Sequence, residues 1–369
     1  MIQNQKLDTR NEKRESDDLD TDFDDDTIIK FSNLQIIKLE TTFIDRREIN
    51  QKLLLTFNGI MRIIFMGTPD FAVESLKALV ENNYNIVGVV TMPDKPAGRG
   101  MQLRASAVKE YALSQNLPVL QPERLKDEAF LEQLRALNAD LQIVVAFRML
   151  PEVVWNMPPM GTFNLHASLL PQYRGAAPIN WAIINGDKET GITTFFLQHE
   201  IDTGNIILQK RIPISRNDNA ESIHDTLMKI GAEAVVETVR LIEKGNVKTI
   251  AQDDIADSEL RPAPKIFKET CRINWDDEAE HVRNFIRGLS PYPAAHTEIT
   301  DAKGTALGLK VFDSETEICH HNLPAGKFIA ENSELKVAVK DGFVKLLRVQ
   351  LAGKKPMDTE DFLRGFKIG

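Results

Sequence analysis

Cysteine is scarce in this chain, and long apolar runs are missing. Only two cysteines, Cys271 and Cys319, occur among 369 residues, and they lack CxxC spacing. This excludes a disulfide framework or a cysteine-built zinc site and favours a reducing, cytoplasmic environment. No run of about 18 apolar residues occurs, so no membrane-spanning helix is predicted. The polar, acidic N-terminus also lacks the apolar core of a secretory signal.

The motifs of several common enzyme classes are absent as well. The chain contains no GxGxxG, no phosphate-binding P-loop and no HExxH, and Ser168 lacks the GxSxG setting of a nucleophilic serine. The sequence therefore predicts no dinucleotide or nucleoside triphosphate cofactor, no metal and no covalent enzyme intermediate. The length indicates two or three domains.

Charge is unevenly distributed along the chain. The formal net charge is −9, which argues weakly against a nucleic-acid binder. Residues 1–60 hold 13 acidic and 9 basic side chains, a net of −4. Residues 325–369 hold 9 basic and 6 acidic side chains, a net of +3. A mildly acidic protein with a basic end can still bind a polyanion locally.

The first 60 residues differ from the rest. Aspartates dominate residues 17–26, which predicts disorder for residues 1–26. Residues 27–60 are more apolar but lack a clean periodicity. Met61 stands directly before the first core-strand pattern, Arg62–Met66, and is a candidate start of native translation. We expect residues 1–60 to be a polar, disordered extension.

From Met61 onward the pattern alternates between strands and helices. Short apolar runs predict buried strands, and amphipathic spacing predicts helices, one of them capped by Ser106. The predicted strands are 62–66, 86–90, 119–120, 141–146 and 162–165, and the predicted helices are 105–115, 127–137, 176–184 and 220–243. This rhythm predicts an α/β, Rossmann-like domain at 61–250 with a mostly parallel sheet.

A second domain is predicted after a proline-containing linker at 251–265. Residues 279–288 look helical, and short strand patterns then follow at close spacing. These strands are 296–299, 307–312, 326–330, 335–339 and 343–349. Their spacing predicts a small antiparallel β-barrel at 266–369.

Three polar residues are candidates for acyl-transfer chemistry. Asn164 and His166 share a face at the end of a strand because side chains alternate along it. The amide can donate to a developing oxyanion, and the imidazole can move a proton. Asp202, in a turn 36 residues later, could fix the imidazole tautomer. A core histidine and an unrelated turn aspartate would give the same spacing.

Five stretches resemble the folate-dependent formyltransferases. The segment 163–179 carries Asn164-Leu165-His166 and Ser168-Leu169-Leu170-Pro171, and 200–204 carries Asp202. The other three stretches are 62–72, 93–100 and 351–357. The loop within 93–100 and the predicted second domain narrow the resemblance to the methionyl-tRNA formyltransferases. The resemblance covers about 309 residues.

The resemblance implies formyl transfer from 10-formyltetrahydrofolate to the α-amino group of initiator methionyl-tRNA. It assigns catalysis to Asn164, His166 and Asp202, and folate contact to the loop Ser168, Leu169, Leu170 and Pro171. It also implies an OB-like second domain that contacts tRNA. The predicted tRNA contacts are Lys95, Arg99 and Arg174, and the enzyme is expected to be a cytoplasmic monomer.

The sequence departs from the family pattern in two places, and other functions stay open. Residues 1–60 have no counterpart in the family, and the 146–151 stretch is one residue shorter, with Arg148 where glycine is common. The main alternative is a formyltransferase acting on a small-molecule amine, such as a nucleotide or nucleotide sugar. A formate-releasing hydrolase and a non-catalytic RNA-binding protein are weaker alternatives.

Overall fold

The structure is a computed structural model and describes residues 60–97, 102–252 and 260–369. The predicted extension 1–60 lies outside these residues, apart from Ile60. Within the described part, no helix is both long and apolar enough to cross a bilayer.

The described residues of the N-terminal region form nine strands. They are β1 Arg62–Gly67, β2 Asn85–Val90, β3 Lys95–Ala97, β4 Gln102–Arg104, β5 Val119–Leu120, β6 Leu141–Val145, β7 Thr162–His166, β8 Glu189–Phe196 and β9 Ile206–Pro213. Its helices are α1 Asp70–Glu81, α2 Ala107–Ser114, α3 Glu128–Ala136, α4 Glu152–Trp155, α5 Pro178–Ile184 and α6 Ala220–Glu243. Seven of the strands form one sheet in the order β5-β2-β1-β6-β7-β8-β9.

The predicted parallel sheet is confirmed, with an antiparallel edge that the sequence did not indicate. Strands β5, β2, β1, β6 and β7 run parallel, whereas β8 and β9 are antiparallel. All five residues of β6 are buried because helices cover both faces of the sheet. The predicted cap of α2 is also confirmed, since the Ser106 hydroxyl accepts a hydrogen bond from Lys109 N at 3.1 Å.

The C-terminal region is an antiparallel sheet packed against a helix. After α7 Ala279–Gly288 come β10 Ala295–Thr300, β11 Ala306–Ile318, β12 Phe328–Glu331, β13 Glu334–Val339, β14 Gly342–Leu351, β15 Met357–Asp358 and α8 Thr359–Gly365. The strand order is β10-β11-β14-β13-β12, with β15 paired to β14. The antiparallel prediction is confirmed, although β11 is 13 residues long and shifts register around Asp313.

Two buried arginines on α7 join the two regions. Arg283 donates to the carbonyl oxygen of Arg216 at 2.7 Å, and Arg287 donates to that of Asp218 at 2.7 Å. Arg287 also reaches the Ser215 carbonyl oxygen at 3.2 Å. These bonds hold α7 against the loop that precedes α6.

The predicted linker packs closely against the N-terminal region where it is described. Ala263 is fully buried, and its backbone forms a parallel bridge with Gly175. Trp181 donates its indole N–H to the Pro264 carbonyl oxygen at 2.8 Å. Residues 260–264 are therefore part of the folded unit around β7.

Candidate active site

A cavity of about 880 Å³ opens at the carboxyl ends of β1, β6 and β7. Parallel strands present their carboxyl ends at one edge of a sheet, which is where α/β folds bind ligands. Asn164, His166 and Asp202 all line this cavity, which we call the catalytic cavity. Folding thus brings together the three residues predicted to be catalytic.

Strand β7 directs Asn164 and His166 to the same side. Phe163 and Leu165 pack into the core on one face of the sheet, so the alternate residues face the other way. The Asn164 side chain is half-buried and has no protein hydrogen-bond partner within the described residues. Its amide is therefore available to a ligand.

The backbone carbonyl of Tyr173 determines which nitrogen of His166 carries a proton. His166 is 7% exposed, and its Nε2 lies 2.8 Å from the Tyr173 carbonyl oxygen. A carbonyl can only accept, so Nε2 must donate. In the neutral ring, Nδ1 then holds the free lone pair.

Asp202 faces that lone pair. Its Oδ2 lies 3.9 Å from Nδ1 of His166, an ion-pair distance that is too long for a hydrogen bond. The same oxygen accepts a hydrogen bond from Gly175 N at 3.0 Å. Asp202 also adopts a left-handed backbone with φ of 56°. The carboxylate is thus placed to stabilise a cation on His166, whereas the tautomer is set by Tyr173.

The Ser168–Pro171 loop is not among the residues that line the catalytic cavity. Ser168 is fully buried and donates to the Gln172 carbonyl oxygen at 2.6 Å. Leu170 is 3% exposed and packs against Phe195 and Ile206. The predicted folate contact of this loop stays a prediction, and its packing shapes the backbone between His166 and Tyr173.

The predicted tRNA contacts lie in three different settings. Lys95 is exposed on β3, which pairs with β4 in a hairpin. Arg99 lies outside the described residues. Arg174 donates to the Gln252 side chain at 2.8 Å, and Gln252 donates to the carbonyl oxygens of Asp202 and Gly204. Arg174 therefore braces the Asp202 turn.

Aromatic and apolar side chains form one wall of the catalytic cavity, which the sequence pattern indicated only weakly. Phe147, Trp155, Leu197 and His199 line it, and the Trp155 and His199 rings meet edge to face at 5.5 Å. Arg148, which departs from the family pattern, donates to the backbone carbonyls of Pro122 and Glu123. Partial burial lowers the pKa of its guanidinium from the usual value. Such a wall suits a flat heteroaromatic ring.

A second cavity of about 900 Å³ adjoins the first. Ala176, Ala177, Asn180 and Lys265 line both, so the two openings share a border. The rest of the second cavity comes mainly from the C-terminal region, including the basic residues Lys268, Lys310 and His296. Burial, followed by the charges of Lys268, Arg272 and Lys310, lowers the pKa of His296. We call this space the basic cavity.

Comparisons with known proteins match both regions. Residues 61–239 match the family model described as formyl transferase, and residues 265–367 match that of the formyl transferase C-terminal domain. A methionyl-tRNA formyltransferase of Bacteroides thetaiotaomicron is 64% identical over 310 residues, covering 84% of this chain and 96% of the relative. A protein of the same name from Flavobacterium johnsoniae is 54% identical over 305 residues, covering 83% and 96%.

A solved structure shares the fold. It is an N-formyltransferase from Helicobacter canadensis in complex with folinic acid and dTDP-3-aminofucose. The two chains superpose with a TM-score of 0.58 at 21% identity, covering 78% of this chain and 98% of the other.

Proposed function

Because this chain belongs to the methionyl-tRNA formyltransferase family, we propose that it formylates the α-amino group of methionine on initiator tRNA. The donor is a tetrahydrofolate derivative, which we take to be 10-formyltetrahydrofolate. Residues 61–250 carry the chemistry, residues 251–265 connect the regions, and residues 266–369 help to bind tRNA. We place the enzyme in the cytoplasm as a monomer.

The observation that carries this proposal is the grouping of Asn164, His166 and Asp202 at one cavity. Formyl transfer passes through a tetrahedral intermediate with a negatively charged oxygen. The free Asn164 amide can donate to that oxygen, and losing such a donor typically reduces the rate by about 10²–10³. An electrophilic formyl carbon would therefore sit beside Asn164.

Proton transfer in this scheme uses the Nδ1 atom of His166. The methionine nitrogen attacks the formyl carbon and must lose a proton, and Nδ1 carries the available lone pair. The resulting imidazolium lies between the Tyr173 carbonyl oxygen and the Asp202 carboxylate. Collapse of the intermediate breaks the bond to the folate nitrogen, which takes up the proton. No step in this scheme requires a metal.

The two ends of the catalytic cavity suit the two substrates. Phe147, Trp155 and Leu197 lie on the face of the sheet toward which Asn164 points, and we place the flat pterin there. The border with the basic cavity, at Ala176 and Lys265, then receives the aminoacyl end of the tRNA. Lys268 and Lys310 supply charge for its phosphates.

The direct test supplies purified protein with 10-formyltetrahydrofolate and charged initiator methionyl-tRNA. We expect formyl-methionyl-tRNA and tetrahydrofolate in equal amounts, with none formed when the donor is omitted. A parallel reaction offers a nucleotide-linked amino sugar as the acceptor. Formylation of the amino sugar, with no product on the tRNA, would overturn the proposal in favour of a small-molecule enzyme.

A further inference from the structure

One short segment supplies hydrogen-bond partners to both His166 and Asp202. Within 172–177, the Tyr173 carbonyl accepts from His166 Nε2, and Gly175 N donates to Asp202 Oδ2. These contacts come from backbone atoms, so the path of the main chain determines them. Whatever holds this segment therefore controls the geometry of the proton-transfer pair.

The chain that leads into the C-terminal region holds this segment through its backbone. Tyr173 N donates to the Arg261 carbonyl oxygen at 2.7 Å, and Ala263 N donates to the Arg174 carbonyl oxygen at 2.9 Å. Ala176 N donates to the Ala263 carbonyl oxygen at 2.8 Å. Residues 261–263 and 173–176 thus form a short two-stranded clamp.

Side chains reinforce the clamp at Tyr173. Arg261 binds Asp187 Oδ1 at 2.6 Å, and the Tyr173 hydroxyl donates to Asp187 Oδ2 at 2.7 Å. The Arg261 guanidinium also lies 4.9 Å from the centre of the Tyr173 ring. Burial, with smaller effects from its hydrogen-bond partners, raises the pKa of Tyr173 to about 12. The hydroxyl therefore remains a donor at neutral pH.

We propose that Arg261 is a positioning residue for His166. Through Asp187 and the Tyr173 ring it fixes the Tyr173 carbonyl, which keeps the proton of neutral His166 on Nε2 and leaves Nδ1 free to accept. This inference rests on the proposed function for its kinetic consequence. Its structural consequence, a single tautomer of His166, is independent of any substrate.

Arg261 belongs to the segment between the two matched family domains, 61–239 and 265–367. Sequence alone marks it as part of a connector, 59 residues beyond Asp202, the nearest residue of the catalytic set. The clamp makes this connector a part of the active-site scaffold.

The test compares Arg261→Ala with Arg211→Ala in the full chain. Arg211, on the edge strand β9, forms an ion pair of similar length with Glu189, at 2.5 Å, and both side chains of this pair are exposed. We expect Arg261→Ala to reduce kcat by about 10-fold through misplacement of the reacting groups, with KM for both substrates unchanged. Arg211→Ala should leave both constants unchanged, and Arg261→Lys should restore part of kcat through its contact with Asp187.

Nitrogen-15 NMR of labelled histidines gives the decisive readout. The chain has 7 histidines, and the His166→Ala spectrum identifies the signal of His166. Wild type should show the neutral ring protonated at Nε2, and Arg261→Ala should show a mixture of tautomers. Tyr173→Phe, which keeps the ring but loses the bond to Asp187, should shift the mixture in the same direction with less loss of kcat.

The two proposals fail in different ways. Absence of formyl transfer by wild type would contradict the proposed function without affecting the tautomer measurement. An unchanged His166 tautomer in both Arg261→Ala and Tyr173→Phe would overturn the positioning role. An equal loss of kcat in Arg211→Ala would overturn it as well, because the effect would then be general.

Discussion

The two adjoining cavities are built on different principles. In the catalytic cavity, His166 and Asp202 are each held by a backbone atom of the 172–177 segment. In the basic cavity, the Lys268 side chain has no hydrogen-bond or ion-pair partner among the described residues, and the only such partner of the Lys310 side chain there is the Pro293 carbonyl oxygen, at 3.4 Å. Proton transfer needs fixed atoms, whereas attraction of phosphates needs only positive charge nearby. We therefore expect variants in the first cavity to lower kcat and variants in the second to weaken tRNA binding.

The largest effect is expected from His166→Ala. Removal of the proton acceptor should lower kcat by about 10²–10⁴ while leaving tRNA affinity unchanged. Single-turnover formylation and a filter-binding assay measure the two quantities separately. His281→Ala, an exposed histidine paired with Asp277 on α7, serves as the control. Normal turnover in His166→Ala would remove this residue from the mechanism.

Gly175→Ala should have the next largest effect. Gly175 has a φ of +126°, and an added Cβ would lie 2.5 Å from the Ala263 carbonyl oxygen. The clamp must therefore open, which we expect to lower kcat by about 10²-fold and to destabilise the fold by about 1–3 kcal/mol. Steady-state kinetics and thermal unfolding measure these changes.

Gly245→Ala is the matched control for that variant. Gly245 also has a positive φ, +62°, but an added Cβ would meet nothing within 4 Å. It should lose about 1 kcal/mol of stability from backbone strain alone, with kcat unchanged. Equal losses of kcat in both glycine variants would show that the approach to Ala263 is irrelevant to catalysis.

The double variant Lys268→Ala/Lys310→Ala tests whether the basic cavity binds the phosphates of the tRNA. If each lysine neutralises one phosphate, tRNA affinity should fall and the slope of log affinity against log salt should flatten by about two units. At saturating tRNA, kcat should be unchanged. Binding measured at several salt concentrations gives the slope, and an unaltered slope would place the phosphates elsewhere.

The smallest effect is expected from Lys336→Ala/Lys345→Ala. Both lysines are candidates for tRNA contact by charge alone, but they already pair with Glu317 and Glu334. Their hydrogen bonds to a carboxylate already occupy them, so tRNA affinity and its salt slope should not change. A flattened slope would show that these ion pairs open to receive phosphates.

The Lys336→Ala/Lys345→Ala variant should also change how the stability of the fold depends on pH. The hydrogen bond from Lys336 is the main cause that lowers the pKa of Glu317 from its ordinary 4.5. A lowered pKa means that the folded state is stabilised above about 4.5 and loses this stabilisation as pH falls further. The Tm of wild type should therefore exceed that of the variant at neutral pH, and the two should converge in acid.

Much of the architecture was predictable because its strands are buried on both faces. The run at 141–145 carries a nearly continuous apolar signal, which arises from helices on both sides of the sheet. Strands β8 and β9 were missed. β9 is the edge strand of the sheet, is mostly half-exposed and carries Lys210 and Arg211. Residues 313–318 of β11 were missed because they hold three acidic residues and a single large apolar one, Ile318, which is exposed.

The sequence predicted the side chains of the candidate site but not the backbone groups that hold them. Alternation along β7 correctly placed Asn164 and His166 on one face, and Asp202 joined them as the family resemblance implied. The role of Tyr173 could not be predicted, because every residue has a backbone carbonyl. The position of this one depends on how residues 261–263 pack against it. The predicted tRNA contact of Arg174 stays a prediction. The sequence did not indicate that Arg174 also braces the Asp202 turn through Gln252.

The clamp at Ala263 also decides how this protein can be dissected. A fragment ending at residue 250, the predicted end of the α/β domain, would lack Gln252, Arg261 and Ala263 and with them the supports of Tyr173 and Asp202. Extending the fragment through Pro264 retains those supports and the bond from Trp181. The boundary of the smallest catalytic piece is therefore set by hydrogen bonds made after the last helix of the α/β region.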